Sequence, residues 1–201
     1  MKSISFFARV IPLARVVALA GTLALAGGCA ARQRDHFYVL DAQPAGSDDS
    51  RTQFGRQIVL RVTVPSLVDR GEMVLTTTGA VTVLDHERWA APLADLVTTT
   101  LGRDIERRRG DVLVLSRGAD QAGIPLVRMS IEIDQVTARL GDSVTIQTHW
   151  RVTDAVTGKV SIGRDTFASP QHAQSYTEVA TGLSTCIALL AERLTREIPA
   201  P

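Results

Sequence analysis

The sequence predicts a compact α/β domain, and three features carry that prediction. Strand-like segments lead into a helix, and the same order then repeats. Residues 93–105 and 176–194 each place apolar side chains at helical spacing. Between them, residues 127–152 alternate apolar and polar side chains with the two-residue period of a pleated strand.

The amino terminus is organised for export. Lys2, Arg9 and Arg15 supply positive charge, Val16 to Ala26 is apolar, and Ala26-Gly27-Gly28 puts small residues directly before Cys29. The run from Val16 to Gly28 falls short of the roughly 20 apolar residues needed to span a bilayer. This is the layout of a bacterial lipoprotein signal, with Cys29 as the expected lipid attachment residue. Residues 1–28 are read as signal peptide, 29–36 as a lipidated tether and 37–198 as one domain. The three basic residues leave with the signal and no acidic residue does, so the formal charge moves from +1 to −2. A near-neutral chain gives no electrostatic case for nucleic acid. Arginine outnumbers lysine 20 to 2 and asparagine is absent, a bias that reads as codon composition. With Cys29 lipidated, Cys186 has no partner and is expected to be a small buried residue.

Each element has its own justification. Phe37-Tyr38-Val39-Leu40 is long enough for a short strand, and Asp41 to Arg56 reads as a loop around Pro44, Gly46 and Gly55. Gln57 to Val64 is apolar on both faces, which predicts a central strand covered on two sides and ended by Pro65. Glu72–Thr77 and Ala80–Leu84 are shorter strands punctuated by Gly79. Pro92 is placed in the first turn of a helix whose stripe is Leu93, Leu96, Val97, Leu101 and Ile105. Asp95 near its start and Arg107-Arg108-Arg109 near its end suit the helix dipole, and Gly110 stops it. Asp111–Leu115 and, after a turn at Gly158-Lys159, Val160–Phe167 are further strands. Ser175 and Glu178 form a capping box for the last helix, and Pro199 follows it.

The phase of alternation slips once, between Ile133 and Val136. A hairpin turning at Gly141-Asp142-Ser143 would set Val136 against Thr148 and Ile133 against Trp150. Asp134 and Gln135 would then share one partner, His149, in a β-bulge. The same register sets Glu132 opposite Arg151.

No catalytic constellation emerges. Gly182-Leu183-Ser184-Thr185-Cys186 has Cys where a nucleophile elbow needs its second glycine, and it lies within a helix, so Ser184 reads as a helical surface serine. Asp85-His86-Glu87 offers ligand types, but neighbours on an extended segment point to opposite sides, and the four histidines lack paired spacing. Glu132 and Asp134 are close enough for acid–base work, yet a cross-strand ion pair with Arg151 accounts better for Glu132. Arg107-Arg108-Arg109 could touch lipid headgroups, but a dipole-complementing helix end explains it better. No cofactor is called for.

An ordered set of segments then resembles a known family. It comprises Cys29; Phe37-Tyr38-Val39-Leu40; Val62-Thr63-Val64-Pro65 running into Leu67-Val68-Asp69-Arg70; Arg88-Trp89 with Pro92-Leu93; Trp150-Arg151-Val152; Thr157-Gly158-Lys159-Val160; and the helix from Tyr176. The chain resembles the ABC-type transport auxiliary lipoproteins, including paraquat-inducible protein C. The resemblance implies a three-layer α/β fold with a mixed sheet, similar to the amino-terminal domain of TolB. It implies a non-enzymatic subunit that docks on an MCE-domain protein of an ABC-type or paraquat-inducible system moving lipids across the envelope. Some members form homo-oligomeric rings. Ala30, rather than aspartate, after Cys29 points to the periplasmic face of the outer membrane.

Within that frame Trp89 and Pro92 are expected to start and seat the first helix, and Trp150 to pack in the sheet core beside Ile146 and Val152. Asp69 and Arg70 are candidate partner contacts, with a loop-fixing ion pair as the other reading. Tyr38 and Leu40 are candidates for an oligomer seam. A lipid-binding carrier or an outer-membrane assembly chaperone is the alternative function. A carrier requires an apolar pocket of several hundred Å³.

Overall fold

Alternation in the middle of the chain builds its largest sheet. The computed structural model describes residues 34–43, 54–77, 79–115, 124 and 126–200; Cys29 and the signal segment lie outside them. In chain order the elements are β1 (His36–Tyr38), β2 (Arg56–Thr63), β3 (Glu72–Thr77), β4 (Ala80–Trp89), α1 (Leu93–Arg108), β5 (Val112–Leu115), β6 (Leu126–Thr137), β7 (Asp142–Asp154), β8 (Val160–Ala173) and α2 (Tyr176–Thr195). The large sheet runs β5-β2-β6-β7-β8, and a small one runs β1-β4-β3. Both are mixed. β2 pairs in parallel with β5 and β6, whereas β7 is antiparallel to β6 and β8. The small sheet joins parallel β1–β4 to antiparallel β3–β4.

Burial follows the pattern of the strands. On β6, Val127, Met129, Ile131 and Ile133 are buried while Arg128, Ser130, Glu132 and Asp134 are exposed. Val144, Ile146, Thr148, Trp150 and Val152 continue the buried face on β7. Both helices cover that face, α1 against β2 and β5, α2 against β7 and β8. Their stripes are fully sequestered: Leu93, Val97, Leu101 and Ile105 on α1, and Val179, Leu183, Ile187, Leu190 and Leu194 on α2. Each such side chain contributes about 1.5–3 kcal/mol by leaving water. α2 meets β7 at Gly182, where a Cβ would lie 2.8 Å from Val144 Cγ2, so only glycine permits this approach.

The third layer is extended chain. Gly102 turns one side of α1 towards Val114 and Leu60 of the sheet. Thr100 and Asp104, roughly half a turn round the helix, instead meet residues 40–43. The segment after β1 therefore crosses the helices on the side away from the large sheet, whose outer face stays open to water.

The two helices and the capping box match the reading of the sequence, and Ser175 Oγ accepts from Glu178 N at 3.2 Å, but β4 runs past Leu84 to Trp89, which ends a strand instead of starting α1. Several details differ. Pro92 is the N-cap of α1 rather than a first-turn residue. β2 is buried on both faces only at its start, where Gln57 and Ile58 are enclosed, while Arg61 is exposed. β8 extends to Ala173, because Asp142 and Ser143 of β7 pair with Ala173 and His172.

The bulge lies where the phase slips, between Ile133 and Gln135, but the surrounding register is two residues off the expected one. Val136 faces Ile146, Ile133 faces Thr148, and Glu132 faces His149 rather than Arg151. The turn explains this. Asp142 N bonds to Arg139 O at 3.2 Å and Gly141 takes φ +83°, so the chain reverses around Gly141, earlier than expected. A slip of two keeps every side chain on its face, so hydrophobic patterning cannot discriminate the two registers.

Candidate docking site at the amino-terminal strand

β1 begins seven residues after Cys29 and is the part of the fold nearest in sequence to the expected anchor. Alternation divides it. Tyr38 is half-buried and Leu40 buried, whereas Phe37 and Val39 are exposed at 64% and 52%. Leu40 therefore belongs to the core of its own chain, and the outward apolar pair is Phe37 with Val39.

Glu87 on β4 holds the strand. Its carboxylate accepts from the Tyr38 hydroxyl at 2.6 Å and lies 3.1 Å from His36 Nδ1. Burial pushes the Glu87 carboxyl up, but the hydrogen bonds from Tyr38 and His36 outweigh it and leave its pKa below the ordinary value. Burial, reinforced by the Glu87 hydrogen bond and charge, pushes the Tyr38 hydroxyl up to about 12. His86 pairs with Asp35 at 3.1 Å. His86 and Glu87 thus fasten the start of the domain.

Beyond β1 the helices take over. Thr100 Oγ1 donates to Leu40 O at 3.1 Å, Asp41 N donates to Ser184 Oγ at 3.1 Å, and Gln43 N donates to Asp104 Oδ1 at 2.8 Å. Arg107 Nη1 adds a bond to Ala42 O at 2.6 Å. Ser184 is consequently buried at 2% exposure, not on the surface, because its hydroxyl is spent on Asp41 and on Ala180 O. Thr100 and Asp104 are buried for the same reason: they hold the backbone of this strap. The available signal was Thr100 and Asp104 spaced i, i+4 beside the apolar stripe of α1.

Asp69 and Arg70 are exposed but committed. Asp69 Oδ1 accepts from Ala94 N at 3.0 Å, supplying the cap that Pro92 cannot. Arg70 Nε lies 2.9 Å from Glu72 Oε2, and Arg88 reaches the other oxygen of Glu72 at 3.2 Å. Arg107, Arg108 and Arg109 are engaged as well, with Ala42 O, Asp104 and Asp111. Trp150 is 4% exposed; its Nε1 donates to Asp165 Oδ2 at 2.6 Å, and Arg193 stacks 4.7 Å from its ring centre. Cys186 is fully buried, and burial pushes its thiol up to about 12, far from thiolate chemistry at neutral pH.

The interior leaves no room for a carried lipid at the junction of helices and small sheet. There a cavity of about 10 Å³ is lined by Val68, Trp89, Leu93, Val136, Val179 and Leu183 among others. That volume is about the smallest that admits one water.

The family model of the ABC-type transport auxiliary lipoprotein component matches residues 38–195. The chain belongs to this family. The match begins at Tyr38 and ends at the last residue of α2, so it takes in the strap, both helices and every strand from β2 onward. The family is an auxiliary lipoprotein component of transport, which makes this an envelope-associated protein rather than a member of a known enzyme family. Among solved structures, the auxiliary lipoprotein resembles an uncharacterized protein at TM-score 0.67 and 18% identity, over 83% of this chain and 100% of that one. It also resembles protein XCC0632 from Xanthomonas campestris, of family DUF330, at TM-score 0.59 and 16% identity, over 80% and 92%. These likenesses establish the α/β fold. No curated protein matches the auxiliary lipoprotein in sequence.

Proposed function

We propose that this chain is a non-enzymatic subunit, anchored by acyl chains on Cys29 to the periplasmic face of the outer membrane. There it docks on an MCE-domain protein of an ABC-type or paraquat-inducible lipid transport system. The observation that carries the reading is the strap. A chain that leaves an expected anchor at Cys29 enters the fold at His36 and is fixed at once by both helices, so the domain is held close to a bilayer. Acyl chains contribute about 0.8 kcal/mol per buried methylene, and more than one chain makes anchoring stable. Confinement near the membrane raises the effective concentration of the domain for any membrane-bound partner. The filled core supports docking over lipid carriage. Phe37 and Val39 are the exposed apolar residues nearest that anchor in sequence, and Asp69 and Arg70 are exposed beside the start of α1.

The test is purification of the full chain from envelope membranes. Co-purification of an MCE-domain protein, with disturbed lipid asymmetry after deletion of the gene, is the expected result. Purification of the chain alone together with normal asymmetry overturns the docking role. Palmitate incorporation that disappears in Cys29→Ala checks the anchor separately, and the mass of the purified species reports whether a ring forms.

A further inference from the structure

The open face of the large sheet carries an ordered cluster of cations. Register places Arg61 of β2, Ser130 of β6, Arg151 of β7 and Ile162 of β8 in one row. The row before it contains Arg128, two residues from Ser130 on the same strand and face. Neighbouring strands are about 4.8 Å apart and alternate residues about 6.7 Å apart. Three arginines are therefore rooted within about 7 Å of one serine hydroxyl. Among the described residues the side chains of Arg61, Arg128 and Arg151 make no hydrogen bond or ion pair, unlike those of the arginines in α1's last turn, β4 and the end of α2.

The small Ser130 between two long side chains leaves a groove of about 430 Å³, lined by Arg61, Arg151, Ile162, Thr63 and His149 among others. Glu132 also lines it, so one carboxylate opposes two guanidinium groups. His149 is engaged elsewhere, bonded to Asp134 and Arg164. The charge surplus and the forked donors of arginine match the oxygens of a phosphate. Ile162, 67% exposed beside Arg151, offers an apolar wall to whatever the phosphate is attached to.

The geometry points to a site for the phosphate of an anionic phospholipid headgroup, centred on Ser130 and bound by Arg61 and Arg151, with Arg128 one row away. The choice of a lipid as bearer rests on the transport reading above; the cationic site itself does not.

The full chain, held in non-ionic detergent micelles, is titrated separately with phosphatidylglycerol, uncharged diacylglycerol and inorganic phosphate, and bound ligand is counted by native mass spectrometry. One phosphatidylglycerol per chain is expected, with negligible diacylglycerol and much weaker phosphate binding. Arg61→Gln and Arg151→Gln are each expected to weaken phosphatidylglycerol binding about tenfold, as loss of a charged hydrogen bond does. Arg151→Lys restores only part of it. Arg103→Gln, on the exposed side of α1, leaves binding unchanged.

Wild-type affinity in the groove variants overturns the site, as does an equal loss in Arg103→Gln. Inorganic phosphate binding as tightly as phosphatidylglycerol overturns the lipid as bearer. Lipid-independent self-association abolished by the same variants assigns the face to a second copy and likewise overturns the proposal. Because the assay contains no partner protein, its failure is separate from a failure to co-purify the MCE-domain protein.

Discussion

Gly163 lies directly opposite Trp150 across the β7–β8 ladder, and the indole ring occupies the space that a side chain at 163 would need. The absence of a Cβ in β8 lets the ring lie flat against the sheet. From there its N–H reaches Asp165 and its face meets Arg193 of α2. One glycine thus ties β7, β8 and α2 together.

Gly163→Ala forces the indole or the strand to move, and overpacking of this kind costs about 1–3 kcal/mol. Urea denaturation is the measurement. Trp150→Phe should cost about 1–2 kcal/mol for the lost Asp165 bond and cation stacking, and in that background the penalty of Gly163→Ala should shrink.

Asp69→Ala removes the acceptor for Ala94 N at the start of α1. Loss of an N-cap acceptor costs about 0.5–2 kcal/mol. The thermal midpoint should fall, while Arg70→Ala, which breaks an exposed pair with Glu72, should change it little.

Tyr38→Phe deletes the hydroxyl that donates to Glu87. The expected change is local: amide hydrogen exchange of residues 36–43 should accelerate several-fold, whereas β6 and β7 exchange as before. Uniform acceleration throughout the chain would show that the strap does not open independently.

Asp104 gives the stability curve a particular slope. Burial raises its pKa above the ordinary 3.8, against the opposing effects of Arg108 and the Gln43 N–H. The folded state therefore holds this proton more tightly than the unfolded chain does. Its contribution is fully present below the unfolded value and is lost as pH rises through the folded one. Glu72, Asp142, Asp154 and Glu197, all lowered, act in the opposite sense and lose their contribution as pH falls. Comparing wild type with Asp104→Asn isolates the first effect. The wild type should lose ground to the variant as pH rises above about 4, and a difference that stays constant as pH rises would refute the raised pKa.

Local patterning accounts for much of the fold. The stripes of α1 and α2, the Ser175–Glu178 cap and the slip at Asp134 are all properties of neighbours in sequence. The β6–β7 register was not legible, since patterning is blind to a shift of two and only the turn around Gly141 decides it. The strap was not legible either. Its bonds join residues far apart in the chain, Asp41 with Ser184 and Gln43 with Asp104, and each rests on a single polar side chain set among apolar ones. Of the four docking candidates, Asp69 and Arg70 are exposed where the loop reading allowed, while Leu40 is claimed by the interior. The arginine row was invisible because strand order, not sequence distance, brings Arg61 beside Ser130 and Arg151.

The stitching of residues 40–43 has a mechanical consequence. Tension along the leader of a tethered protein would unzip a simple edge strand one rung at a time. Here it must pull at once on Thr100, Asp104 and Ser184, which sit on two rods already braced against the large sheet. A pull at the amino terminus is thereby shared between both helices instead of falling on one edge strand.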